Sequence, residues 1–139
     1  MKEFWGLKKE ELIENFGDPH ESNQNEKTGL DEIAYHYSAS GDFQPEREET
    51  FGLYKDSLVI ISTGYKFKEN LFKQYELYFS TLLKKWNEDL GVEPTKDTFE
   101  DEEKNKVTIW NKDNTEITLF FSNDPANPQL VVVQTYKPA

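Results

Sequence analysis

The side chains in this chain that could carry out chemistry are few in kind. Histidine occurs twice, as His20 and His36. Neither belongs to a His-Glu-x-x-His arrangement, which sets two imidazoles on one helix face around zinc. Cysteine is absent, which removes disulfides, thiolate metal sites and a thiol nucleophile. There is no Gly-x-Ser-x-Gly elbow and no glycine-rich phosphate loop; the seven glycines stand singly. Carboxylates are abundant, with 27 Asp and Glu against 16 Lys and Arg, so pairing any two as acid and base from spacing alone would be arbitrary. Two acidic runs stand out, Glu46-Arg47-Glu48-Glu49 and Glu100-Asp101-Glu102-Glu103. The second lacks the order of oxygen ligands around a mid-loop glycine that holds calcium, and both read as solvated acidic loops. His36 sits between two tyrosines in a strand pattern, and His20 follows Pro19 in a loop. The expectation is a chain with no catalytic, cofactor-binding or metal-binding residue, and so not an enzyme.

Aromatic side chains are the other group able to do specific work, here recognition. They make up 14% of the chain. Trp110 alternates with Val107 and Ile109 along one strand pattern. If Val107, Ile109, Ile117, Leu119 and Phe121 face the helices, Trp110 and Phe120 face the other way, and an exposed aromatic patch marks an interaction surface. Tyr35 and Tyr37 alternate in the same manner earlier in the chain. Trp110, Phe120, Tyr35 and Tyr37 are therefore the candidate protein-binding residues.

These residues need a frame. The strongest element is a long helix over Phe67–Gly91. Phe72, Tyr75, Tyr78, Phe79, Leu82, Leu83, Trp86 and Leu90 fall on one stripe at the helical period, with Lys73, Ser80, Lys84 and Glu88 opposite. Gly91 supplies the stop. Leu77 lies off the stripe. A shorter helix spans Gly6–Phe16 and closes at Gly17, with Asp18-Pro19 preventing continuation. His20–Gly29 and Ala39–Glu49 read as polar loops, and Val92–Asn105 as a connector. Strands are expected at Asp31–Ser38, Thr50–Tyr54, Leu58–Thr63, Lys106–Asn111, Glu116–Ser122 and Leu130–Tyr136. Tight turns fall at Lys55-Asp56 and Asp113-Asn114.

The result is an α+β domain of two αβββ repeats, about residues 6–67 and 68–137, in one unit of 139 residues. About six antiparallel strands form the sheet. The short N-terminal helix and the long central helix pack on one face, leaving the other partly open.

A net charge of −11 argues against nucleic-acid binding, which needs clustered Lys and Arg, and against anionic membrane surfaces. No apolar run is long enough to span a bilayer, so direct membrane insertion is not expected. Met1-Lys2-Glu3-Phe4 leads into a helix pattern and not into a signal-peptide apolar region. The expected location is the cytoplasm, or the cell envelope if a leader has been removed.

The segment Gly6-Leu7-Lys8-Lys9-Glu10-Glu11-Leu12-Ile13-Glu14-Asn15-Phe16-Gly17-Asp18-Pro19 resembles the opening helix of a known group. These are the small lipoproteins of the outer-membrane assembly machinery and the wider set with the fold of the β-lactamase inhibitory protein. Phe51-Gly52-Leu53-Tyr54-Lys55-Asp56-Ser57-Leu58 is similar to that group's strand-turn-strand. The long helix ending in Leu90-Gly91, the Trp-bearing strand and Glu116–Phe121 resemble the second repeat of its two-repeat members. Lys8 stands where the group usually has a Ser or Thr cap, and no lipid-bearing cysteine is present. The resemblance implies a non-catalytic module that binds a protein partner through its sheet and loops. The alternative, drawn from size and charge, is an acidic immunity or inhibitor protein that masks a basic toxin or enzyme.

Overall fold

The computed structural model describes residues 4–39, 41, 44–69 and 71–138. Met1–Glu3 of the leader reading, Asn70 of the expected long helix, and Ser40, Asp42 and Phe43 of the expected second loop lie outside them. The element order is α1 (Lys9–Phe16), β1 (Glu21–Asn25), β2 (Leu30–Tyr37), β3 (Glu46–Tyr54), β4 (Ser57–Lys66), α2 (Phe72–Leu90), β5 (Lys96–Glu100), β6 (Lys106–Lys112), β7 (Thr115–Phe121) and β8 (Leu130–Tyr136). All eight strands lie in one sheet in the order β1-β2-β3-β4-β8-β7-β6-β5, and every neighbouring pair is antiparallel.

This corrects the expected six-strand sheet with three strands after each helix. Four strands follow each helix, and strand dominates the chain. The two strands missing from the sequence reading are β1 and β5, which sit at the two edges. β1 is Glu-Ser-Asn-Gln-Asn, exposed along all but its last residue, and β5 is exposed throughout. An edge strand with nothing covering it has no apolar alternation to read. Its polar composition also keeps the edge from pairing with other chains.

Local chemistry explains the element ends. Both β3–β4 and β6–β7 turn through two residues of positive φ, Lys55 (49°) with Asp56 (59°), and Asp113 (50°) with Asn114 (62°). That is the two-residue turn whose twist matches antiparallel strands. The first helix solves its capping problem from a distance. Lys8 cannot accept a backbone hydrogen bond, and the Lys9 N–H donates instead to Asp56 Oδ1 of the β3–β4 turn at 3.0 Å. Glu11 Oε1 accepts from the Lys8 N–H at 3.0 Å, half of the reciprocal arrangement common at helix starts. At the far end of α2, Gly91 takes φ +65° and its N–H returns to the Asn87 carbonyl.

Two cores result. Tyr75, Phe79, Leu82 and Leu90 of α2 pack with Trp110, Ile117, Leu119, Phe121, Leu130 and Val132. Leu12 of α1 packs with Ile33, Tyr35, Phe51, Leu53, Leu58 and Ile61. Directly paired residues point to the same side of an antiparallel sheet. Ile33 pairs with Phe51, Phe51 with Ile61, and Ile61 with Gln134, which lies on the side of Leu130 and Val132. Both cores therefore use one side of the sheet. Trp5 ties the halves together there. Its Nε1–H donates to Thr115 Oγ1 at 2.8 Å, and its ring stacks on Tyr136.

Candidate interaction face

The register assigns each candidate to a side. Trp110 pairs with Ile117 and is wholly buried in the α2 core, its Nε1–H donating to Asn87 Oδ1 at 2.9 Å. The expected orientation of this strand is thus inverted: Val107 and Ile109 face away from the helix and Trp110 toward it. The strand Val-Thr-Ile-Trp is bulky on both sides, so alternation leaves its orientation undecided. Thr108, on the same side as Trp110, is buried and bonded through its hydroxyl to that of Thr98 at 2.7 Å.

Tyr35 and Tyr37 are also on the helix side, not on the open face. Tyr35 is buried, with its hydroxyl donating to the Gly17 carbonyl at 2.8 Å. Burial raises its pKa, with Tyr37 and Asp18 adding to the shift. Tyr37 is half-buried against the first core. Its ring carries the Arg47 guanidinium at 4.5 Å, and Arg47 in turn pairs with Glu49 at 3.5 Å. Burial raises the Tyr37 pKa as well, reinforced by Glu49 and opposed by Arg47. Of the four candidates only Phe120 lies on the uncovered side.

That side can be written out as rows of paired residues. One row runs His36–Glu48–Gly64–Val131–Phe120–Val107–Phe99 across seven strands. The next runs Glu21–Ala34–Thr50–Ser62–Val133–Thr118–Ile109–Lys96. A third runs Asn23–Glu32–Gly52–Ile60–Thr135–Glu116–Asn111. The composition changes across the face. Over β4, β8, β7 and β6 the side chains Ile60, Val131, Val133, Phe120 and Ile109 are half-buried, and both described helices pack on the other side of the sheet. Over β1, β2 and β3 the outward residues include Glu21, Glu32, Glu46 and Glu48.

The acidic part is organised around His36. Its Nε2 lies 3.8 Å from Glu21 Oε2, and its Nδ1 lies 3.5 Å from Glu48 Oε2. Its backbone N–H donates to His20 Nδ1 at 3.0 Å. Glu21, His36 and Glu48 present ligand atoms within 4.8 Å of one another. All three are exposed, and His20 Nδ1 is already engaged. A zinc site of this kind ordinarily adds a fourth ligand and a dry surrounding shell; the trio is an imidazole between two hydrated carboxylates.

A groove of about 760 Å³ opens beside this cluster. Glu46 and Glu48 line one wall, Pro128 and Val131 the other, with Gly64 between them and Lys66 at one end. No spacing rule connects these residues, which are brought together by pairing between β3, β4 and β8. The acidic run Glu100–Glu103 is elsewhere and has a different role at one position. Asp101 Oδ1 accepts the N–H groups of Glu103 and Asn105, each at 2.9 Å, closing the β5–β6 turn. These bonds, the Asn105 N–H foremost, lower the Asp101 pKa. Compared with protein-family models, with curated proteins and with solved structures, the chain matches none, and the resemblance rests only on residues 6–19 and 51–58 and on the second-half pattern of the long helix, the Trp-bearing strand and Glu116–Phe121.

Proposed function

We propose that this chain is a non-catalytic protein-binding module whose recognition surface is the uncovered side of its sheet. The observation that carries the reading is the half-buried apolar band of Phe120, Val131, Val133, Ile109 and Ile60, which no helix or strand among the described residues covers. An antiparallel sheet whose second side served only solubility would present polar residues there, and a contiguous apolar band suits a partner. The second reading, an acidic inhibitor masking a basic enzyme, uses the same side of the sheet. It is favoured by the carboxylates of Glu21, Glu32, Glu46 and Glu48 beside the band.

The test is affinity capture from the source organism with the parent chain and with a Phe120→Ala/Ile109→Ala variant. A protein held by the parent and lost by the variant is the expected outcome, with the variant's unfolding curve confirming that it is folded. If the same proteins are recovered at the same level with both, the band is not the binding surface. Substituting Trp110 would not test this reading, because its side chain is core.

A further inference from the structure

We propose that the partner is a basic protein, and that it anchors one arginine or lysine side chain in the groove over Gly64, against the Glu48 carboxylate. This rests on the reading of the open side as a recognition surface and adds to it the partner's charge and the point of attachment.

Gly64 is the middle of the row His36–Glu48–Gly64–Val131–Phe120. Nothing lies within 4 Å of the position its Cβ would take. The contrast is Gly52, the other glycine on this side, where Ile60 Cγ2 would lie 2.5 Å from an added Cβ and Leu30 Cδ1 3.2 Å. The space at Gly52 is filled by the chain's own side chains, and that at Gly64 is open. A glycine inside a strand often marks a place where another group approaches closely. The opening has the Glu48 carboxylate on one wall, and Val131 and Pro128 together with the polar Asn127 and Gln129 on the other. Glu48 stands beside Gly64 on β3 and Val131 beside it on β8. A long basic side chain pairs an apolar stem with a charged head.

The outward side of the sheet around the groove, more than the groove lining itself, favours a cation over an anion. On the outward side of β1–β4 the carboxylates are Glu21, Glu32, Glu46 and Glu48; the cation there is Lys66, joined by His36 when protonated. Arg47 also lines the groove, but its guanidinium is turned onto Tyr37 and Glu49. Half of the Glu48 side chain is exposed, which leaves oxygen available to a guanidinium or ammonium. The chain's charge of −11 would steer a basic protein toward it from a distance.

The test uses the isotope-labelled full chain and two small probes, Nα-acetylarginine amide and its uncharged isostere Nα-acetylcitrulline amide, followed by amide chemical shifts at low and high salt. Arginine should move the amides of Glu48, Gly64 and Val131, less strongly at high salt, and citrulline should not. Gly64→Val should abolish these changes by filling the space, with Gly64→Ala as a smaller replacement. Glu48→Gln should weaken binding about tenfold, the worth of one hydrogen bond to a charged group. Shifts that centre on Glu100–Glu103 or spread over all carboxylates would overturn the proposal. So would equal binding of citrulline, or an unchanged response in a folded Gly64→Val chain. If a captured partner is lost with Phe120→Ala/Ile109→Ala but kept with Gly64→Val and Glu48→Gln, the recognition surface stands and the basic anchor falls. A partner kept by all of these variants removes both.

Discussion

Replacing Gly52 with alanine adds one methyl group to the uncovered side of the sheet, and the register decides what that group meets. Its nearest neighbour is Ile60 Cγ2 at 2.5 Å, across the β3–β4 pair, with Leu30 Cδ1 at 3.2 Å. Carbon atoms rest about 3.5–4.0 Å apart, so Ile60 must retreat by roughly 1 Å. A β-branched side chain has little freedom to do this by rotating. Overpacking of this kind costs about 1–3 kcal/mol. Restricting the unfolded chain by removing a glycine returns about 0.4–1 kcal/mol. The net expectation for Gly52→Ala is a loss of about 1.3 kcal/mol, the difference between the midpoints of those two ranges.

A double-mutant cycle isolates the contact. Ile60→Ala removes the Cγ2 atom, leaving only the mobile end of Leu30 in the way, so Gly52→Ala should then cost almost nothing. The coupling should be favourable by about 1–3 kcal/mol. Gly64→Ala is the internal control: with nothing within 4 Å, it should stabilise by about 0.4–1 kcal/mol. Urea unfolding followed by tryptophan fluorescence reads all five chains, since Trp110 moves from a fully buried site to water. Gly52→Ala matching the parent in stability, or losing as much with Ile60→Ala as without it, would refute the account of this face.

Two further predictions concern the helix side. Phe79→Ala should destabilise by about 3–5 kcal/mol by opening a cavity beside Phe121, while exposed Lys84→Ala should change stability by less than about 0.5 kcal/mol; equal effects in denaturant titrations would refute the orientation of α2. Tyr65 is half-buried beside Tyr78, and this burial pushes its pKa up to about 12. The folded chain thus keeps the phenol proton where the unfolded chain has lost it, so this contribution is whole below about pH 10 and is lost as pH rises toward 12. Tyr65→Phe should remove that part of the alkaline decline, read from unfolding midpoints at successive pH values; an unchanged profile would count against it.

The physical reasons for what could be read from sequence are visible residue by residue. The stripe of Tyr75, Phe79, Leu82 and Leu90 was legible because burial on one side of a helix imposes a period on side-chain type. The turns at Lys55-Asp56 and Asp113-Asn114 were legible because they lie between short apolar runs. β1 and β5 were not, because an edge strand is held by backbone hydrogen bonds that any residue can make, and neither strand has a buried side. Trp110 was placed on the wrong side because Val107, Ile109 and Trp110 are all bulky, and only the pairing with Ile117 orients the strand. The groove was invisible for a related reason. Glu48 and Gly64 are brought together by one pairing and Gly64 and Val131 by another, and nothing in their spacing announces either. The capping of α1 by Asp56 is likewise a contact at long sequence distance.

The seam between β4 and β8 has a consequence for how this chain acquires its structure. Every other ladder in the sheet joins strands that follow one another along the chain, whereas this one brings Ile60 to Thr135 and Tyr65 to Leu130. Hairpins close quickly; a contact spanning about half the polypeptide must first overcome a much larger loss of chain freedom. Each four-strand meander can thus assemble by itself, and the zipping of one onto the other is the natural late event. Until it occurs, the backbone groups along β4 and β8 remain an unguarded edge in each half, and a second chain at high concentration competes for them.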